Sequence, residues 1–311
     1  MRIYYWQLAW VMGVLCLSAT AMAQPAASEG GRMVSRTIVT VDGWNLPIDY
    51  YQPATAGANT AISQNTATVI LLHGSGGNRR VWRSLGQKLQ QAGMAAIAID
   101  LRKHGESQPP PGYRGSITRL SAIDYQLMAT VDLDAVKGFL LEEHQKQQIN
   151  IRKTAIIAAD EMVPIAMSYT IADWLAKPYP DAPILEARTP RGQDIRALAM
   201  LSPVNVAGRL SSNLSAGALR KDGWPGSVWI GVGQEDRTGQ GVASSIHDRL
   251  VAGNPISEQR VLLVELPQAK VRGTELLTVQ GLEVENQLVQ FMEQRVKALP
   301  DPWRTRISRL E

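Results

Sequence analysis

The chain has 311 residues, with 32 Lys and Arg against 28 Asp and Glu and a single cysteine. A formal net charge of +4, spread without any block of five or more like charges, excludes a nucleic-acid-binding tail or stripe. Cys16 stands near the N-terminus, so the rest of the chain has no disulfide, no cysteine nucleophile and no cysteine-based metal site.

In chain order, Arg2 precedes the apolar run Leu8–Leu17, and Ala21-Met22-Ala23 follows with small residues where a signal peptidase reads. This pattern predicts a cleaved secretory signal over residues 1–23 and an exported protein, periplasmic or secreted. The run is shorter than the roughly 20 residues that span a bilayer, so no membrane span is expected after cleavage. Leu15 occupies the position where a lipoprotein signal places Gly or Ala, which argues against lipidation of Cys16.

Residues 24–36 read as an N-terminal tether, and 37–311 as one domain without repeats or linkers. Thr37–Val41, the Asp42-Gly43 turn and Leu46–Tyr51 predict a hairpin, followed by a surface loop over 53–66. Short apolar runs then recur at Thr68–Leu72, Ala95–Ile99, Thr154–Ala159, Ala197–Leu201, Val228–Val232 and Val261–Leu266. Between them, helical spacing covers Trp82–Ala92, Ala122–His144, Met162–Leu175, Val242–Val251 and Leu276–Val296. Continuous apolar strands alternating with helices predict an α/β fold: a mostly parallel sheet of about eight strands, covered on both faces.

Three segments carry a resemblance. Val69–Asn78 contains a strand and a His73-Gly74 turn, Ile99–Ser107 reads D-x-R-x-H-G-x-S from Asp100, and Gly233-Gln234-Glu235-Asp236 follows another strand. In order and spacing these resemble the α/β-hydrolase superfamily, over most of the chain from Thr37, and most closely its exported dienelactone-hydrolase-like members. The resemblance implies a Ser-His-acid triad: a nucleophile in G-x-S-x-G on a sharp turn, an acid at Asp236, and a histidine in the loop after the last strand.

The residues depart from that pattern. The elbow stretch is Ala158-Ala159-Asp160-Glu161-Met162, with Asp160 in the nucleophile position and no flanking glycines. Two readings follow. Asp160 is a carboxylate nucleophile or base, as in haloalkane dehalogenases and epoxide hydrolases, or it caps the following helix through its side chain. Met162, where a glycine normally lets helix and strand approach, favours a relaxed elbow. In the histidine loop, Leu266–Leu277, Val271 or Lys270 takes the imidazole's place, and no histidine follows His247. Without an imidazole near neutral pH, the usual proton transfer has no carrier.

Among the four histidines, His73 reads as structural, His144 as a cation at a helix C-terminus, and His247 as a surface residue. His104 is the one placed to approach the cleft. Asp160, Asp236 and His104 are therefore the candidate catalytic residues. Gly74, Ser75, Gly76 and Glu161 form the candidate oxyanion-type turn. Asp236 is expected to cap a helix or pair with Arg237, and Ser75 to serve the turn rather than attack. Ser168 and Ser202 lie on a helix and past a strand, away from an elbow. No metal or cofactor motif occurs. The expectation is an exported protein with the hydrolase fold and an incomplete triad, binding a small molecule or partner. A hydrolase acting through Asp160 is the alternative, on an ester, carbon–halogen or epoxide substrate.

Overall fold

The computed structural model describes residues 31–54, 60–74, 76–253, 259–267 and 269–308. The expected signal, most of the expected tether and Ser75 lie outside them. Strands β1 (Arg32–Val39) and β2 (Asn45–Gln52) pair antiparallel across the Asp42-Gly43 turn. Pairing begins at Arg32 opposite Gln52, so the last residues assigned to the tether are strand. The loop expected over 53–66 contains one helical turn, α1 (Thr60–Ser63).

Then come β3 (Thr68–Leu72), α2 (Arg83–Gln91), β4 (Ala95–Ile99), α3 (Ala122–Leu127), α4 (Leu133–Gln145), β5 (Thr154–Ala159) and α5 (Met162–Leu175). The second half holds β6 (Ile195–Leu201), the small pair β7 (Val206–Ala207) and β8 (Leu210–Ser211), and α6 (Ser212–Lys221). It closes with β9 (Ser227–Gly233), α7 (Arg237–Val251), β10 (Val261–Leu266) and α8 (Val284–Met292). The large sheet has eight strands in the order β1-β2-β4-β3-β5-β6-β9-β10, parallel from β4 onward. Chain order reverses at β3, between β4 and β5. In such sheets ligands bind beyond the strand C-termini at this switch point.

The period-2 alternation of the strands distributes their side chains to two cores. Ile70 and Leu72 of β3 join α4, α5, α6 and α7 on one face, while Val69 and Leu71 join α2 and α8 on the other. All five β3 residues are buried, which is why this strand reads as an uninterrupted apolar run. Each such Leu or Ile contributes about 1.5–3 kcal/mol through burial.

Three helical expectations change. The run Ala122–His144 is continuous but widens into a π turn at Met128–Asp132. The run Leu276–Val296 breaks: a 3₁₀ turn covers Gly273–Thr278, and the chain restarts as α8 after Gly281 (φ 82°) and Glu283 (φ 51°). Helix α7 begins at Arg237, five residues early, because the Asp236 side chain accepts from Gly239 N–H at 2.9 Å and caps it. Helix α6 escaped the pattern because its buried residues are mostly small: Ser212, Ser215 and Ala216 beside Leu219.

After α8 the chain runs back across the N-terminal ends of β5 and β6. Asn150 Nδ2 donates to Asp301 O at 3.0 Å, and Trp303 stacks on His144 at 4.8 Å. Buried Arg306 pairs with buried Asp194, which shares the half-buried Lys137 with buried Asp173. His144 is not a cation at the helix end. Burial holds its imidazole below the ordinary value, Ile151 N–H donates to Nδ1 at 3.3 Å, and Nε2–H donates to Arg304 O at 2.8 Å. Among the described residues no helix is long and apolar enough to cross a membrane.

Candidate functional site

Strand β5 ends at Ala159 and α5 starts at Met162, so Asp160 and Glu161 alone must reverse the chain. Asp160 does so with φ 49°, in the left-handed region that few side chains tolerate. Its N–H donates to Leu201 O at 3.0 Å, and its carbonyl accepts from Val163 N–H at 3.1 Å. The elbow is therefore strained, not relaxed, although Met162 stands where a glycine was expected. Met162 is fully buried in the helix-rich core. Nor does Asp160 cap α5: the N-cap is Glu161, and the helix has no side-chain cap bond.

The Asp160 carboxylate sits between two glycines. A Cβ on Gly74 or on Gly273 would collide with it, and Gly273 itself holds φ 54°. Gly273→Ala is thus expected to lower stability by about 1–3 kcal/mol, from backbone strain and this collision together. A thermal melt matching wild type would show that the carboxylate does not press on that loop. Burial first, then the Glu161 carboxylate, raise the Asp160 pKa to about 6; Arg272 opposes them, and Asp236 and Glu275 add to the rise.

Arg272 is the residue missed in the sequence. Its Nε lies 2.9 Å from Asp236 Oδ2, an ion pair by distance though not aligned as a hydrogen bond. The family loop reads small residue, histidine, glycine. Val271-Arg272-Gly273 fits that frame with a guanidinium for the imidazole, and Gly273 was the signal that would have located it. Lys270 instead points to Glu235 at 3.5 Å on the surface, and Val271 packs against the second core. Asp236 pairs with Arg272 rather than Arg237, while its other oxygen caps α7.

The structure brings Asp160, Asp236 and Arg272 together; His104 belongs to a neighbouring group. Its Nδ1–H donates to Arg102 O at 3.0 Å, and its ring lies 4.7 Å from that of His73. Burial lowers the His104 pKa, while its bond to the Arg102 carbonyl and the charges of Asp100 and Glu161 act to raise it. His73 is fully buried, donates from Nδ1 to Gly74 O at 2.8 Å, and is held by burial at about 4. Both imidazoles are neutral at physiological pH.

Glu161 carries a buried Oε2 without a hydrogen-bond partner among the described residues. Its charge acts on both His104 and the half-buried Tyr125. Gly74 and Gly76 form the turn after β3, where Gly77 N–H donates to Gly74 O at 3.0 Å. Ser202 follows β6 with φ 46° but is fully buried, out of reach of a substrate. Among the described residues no cluster of three or more His, Cys, Asp or Glu side chains is arranged to hold a metal ion.

This combination of sheet order, elbow and acid loop defines a class, and comparison bears it out. The family model of the alpha/beta hydrolase fold matches residues 67–160, ending on the elbow aspartate. Among solved structures the chain is similar to a dienelactone hydrolase from Anabaena variabilis: 17% identity, 86% of this chain and 99% of that one, TM-score 0.58. It is also similar to an esterase from Pyrococcus furiosus (14% identity, 86% and 92% coverage, TM-score 0.56). An esterase from Exiguobacterium antarcticum is a third (12%, 84% and 100%, TM-score 0.52). The chain has the α/β-hydrolase fold, and its residues 67–160 match that family's model. At these identities the likeness to solved structures carries the fold alone. No curated protein matches the sequence.

Proposed function

We propose that this is an exported hydrolase-fold protein whose elbow binds a small polar ligand and does not carry out Ser-His-acid hydrolysis. The observation that carries the reading is Arg272 in the imidazole's frame, paired with Asp236. A guanidinium offers N–H donors and no acceptor, so it gives this loop no general base. Asp160 and Glu161 offer acceptors, Arg272 offers donors, and Asp160 near its pKa can do either. Gly74, Gly76 and the backbone at Glu161 remain as the oxyanion-type turn around that group. Export rests on the n-region, apolar run and A-x-A site within residues 1–23.

A second reading has its own support. Strained backbone and a raised carboxyl pKa at one residue are what a working carboxylate elbow requires, so Asp160 is the nucleophile or base of a non-classical hydrolase. One experiment separates the two: turnover of a panel of activated esters and haloalkanes by the wild-type protein and by Asp160→Asn. The binding reading expects no turnover above the buffer rate in either. Turnover in wild type that disappears in Asp160→Asn would overturn it in favour of the second.

A further inference from the structure

A cavity lies at the other end of the sheet from the elbow. It has a volume of about 260 Å³ and is lined by Arg152, Arg188, Arg191, Arg196 and Arg304, with Glu186 as the one acidic residue in its wall. Arg152 lies two residues before β5 and Arg196 is the second residue of β6, so the cavity opens at the strand N-termini. Asp160 follows the other end of β5, a six-residue strand, roughly 20 Å away.

Arg188 and Arg304 are positioned with no carboxylate ion pair among the described residues. Arg188 Nε donates to Ala182 O at 2.8 Å, and an Arg304 terminal N–H donates to Glu186 O at 2.9 Å. Both acceptors are backbone carbonyls, which orient a cation but bring no opposite charge. Asp301 alone bridges Arg152 and Arg196, at 3.3 and 3.0 Å. One carboxylate shared by two arginines leaves the wall strongly positive. Guanidinium groups held by carbonyls have little left to reorganise when an anion arrives, which favours binding. Pro178 and Leu185 add an apolar side to the same cavity.

We propose that this cavity binds a small multivalent anion through its phosphate or carboxylate oxygens, at a site separate from the elbow. Isothermal titration calorimetry of the purified protein at constant ionic strength tests it, with pyrophosphate and citrate as separate probes. At least one probe is expected to bind saturably. Pyrophosphate alone would assign the site to phosphates, citrate alone to carboxylates, and both to multivalent anions in general. Arg188→Gln and Arg304→Gln should each weaken that binding at least about tenfold, since each removes a charge-assisted hydrogen bond. The two arginines sit on different segments, so a folding defect in one variant leaves the other as the test. No saturable heat from either probe up to about 10 mM, or unchanged affinity in a folded variant, would overturn the proposal.

Discussion

Replacing Asp132 with alanine is expected to lower the unfolding free energy by about 3–5 kcal/mol, the usual cost of stranding one half of a buried ion pair. Asp132 is completely buried and accepts three bonds from Arg102: from the backbone N–H at 3.0 Å, Nε at 2.9 Å and a terminal N–H at 2.6 Å. Arg102 is itself buried, with its guanidinium 5.6 Å from the Trp44 ring. It ties the loop after β4 to the π turn that ends at Asp132. Its second partner, Asp42 in the hairpin turn, is more exposed, at 38% of its side-chain surface. Asp42→Ala should therefore cost only about 0–1 kcal/mol, as exposed pairs do. Urea unfolding of the two variants checks the contrast; equal losses would mean that burial does not set the strength of this network.

Asp160→Asn is expected to have the opposite sign and stabilise the protein above pH 6. In the folded chain the carboxyl titrates near 6 rather than at its ordinary 3.8, because burial and the neighbouring carboxylates disfavour its charge. Between those values the native state holds a proton that the unfolded chain has lost, so native stability falls as pH rises from about 4 to 6. The full displacement corresponds to about 3 kcal/mol, and partial solvent access at this half-buried residue reduces it to about 1–2 kcal/mol. Asparagine keeps the shape, tolerates the left-handed backbone and carries no charge. Melting curves at pH 8 and pH 4 should show a gain at the first and little difference at the second. A variant no more stable than wild type at pH 8 would mean that the ionised carboxylate is not penalised in this site. A residue that costs stability through both backbone and charge is a mark of selection for something other than folding.

The central strands were legible because both faces of the sheet are covered there: Thr68–Leu72, Ala95–Ile99 and Thr154–Ala159 are buried throughout and match their apolar runs residue for residue, as does the half-exposed edge strand Val261–Leu266. Helices built on small residues, such as α6, and a helix interrupted at Gly281 were less so, since periodicity reports only the side chains that fill a core. At the site, Asp160 was visible because a strand and helix bracket it. Its strain was not, because backbone dihedrals follow from the two-residue span between them. Arg272 stayed hidden for a different reason. It lies in an irregular loop where nothing in the local pattern marks a functional side chain, and only folding carries it to Asp236.

The run-back of residues 299–308 has a consequence for the order of events as the chain is made. Arg306 closes on Asp194 from 112 residues downstream, and Trp303 reaches the backbone of His144 across 159. Until those residues leave the ribosome, the acidic pair Asp173 and Asp194 has Lys137 but lacks the guanidinium that completes it. Contacts this distant along the chain form late, because closing the loop costs entropy before any contact repays it. A closing cation delivered last leaves an interval in which the sheet's strands are all made while this buried acidic pair still lacks its second cation.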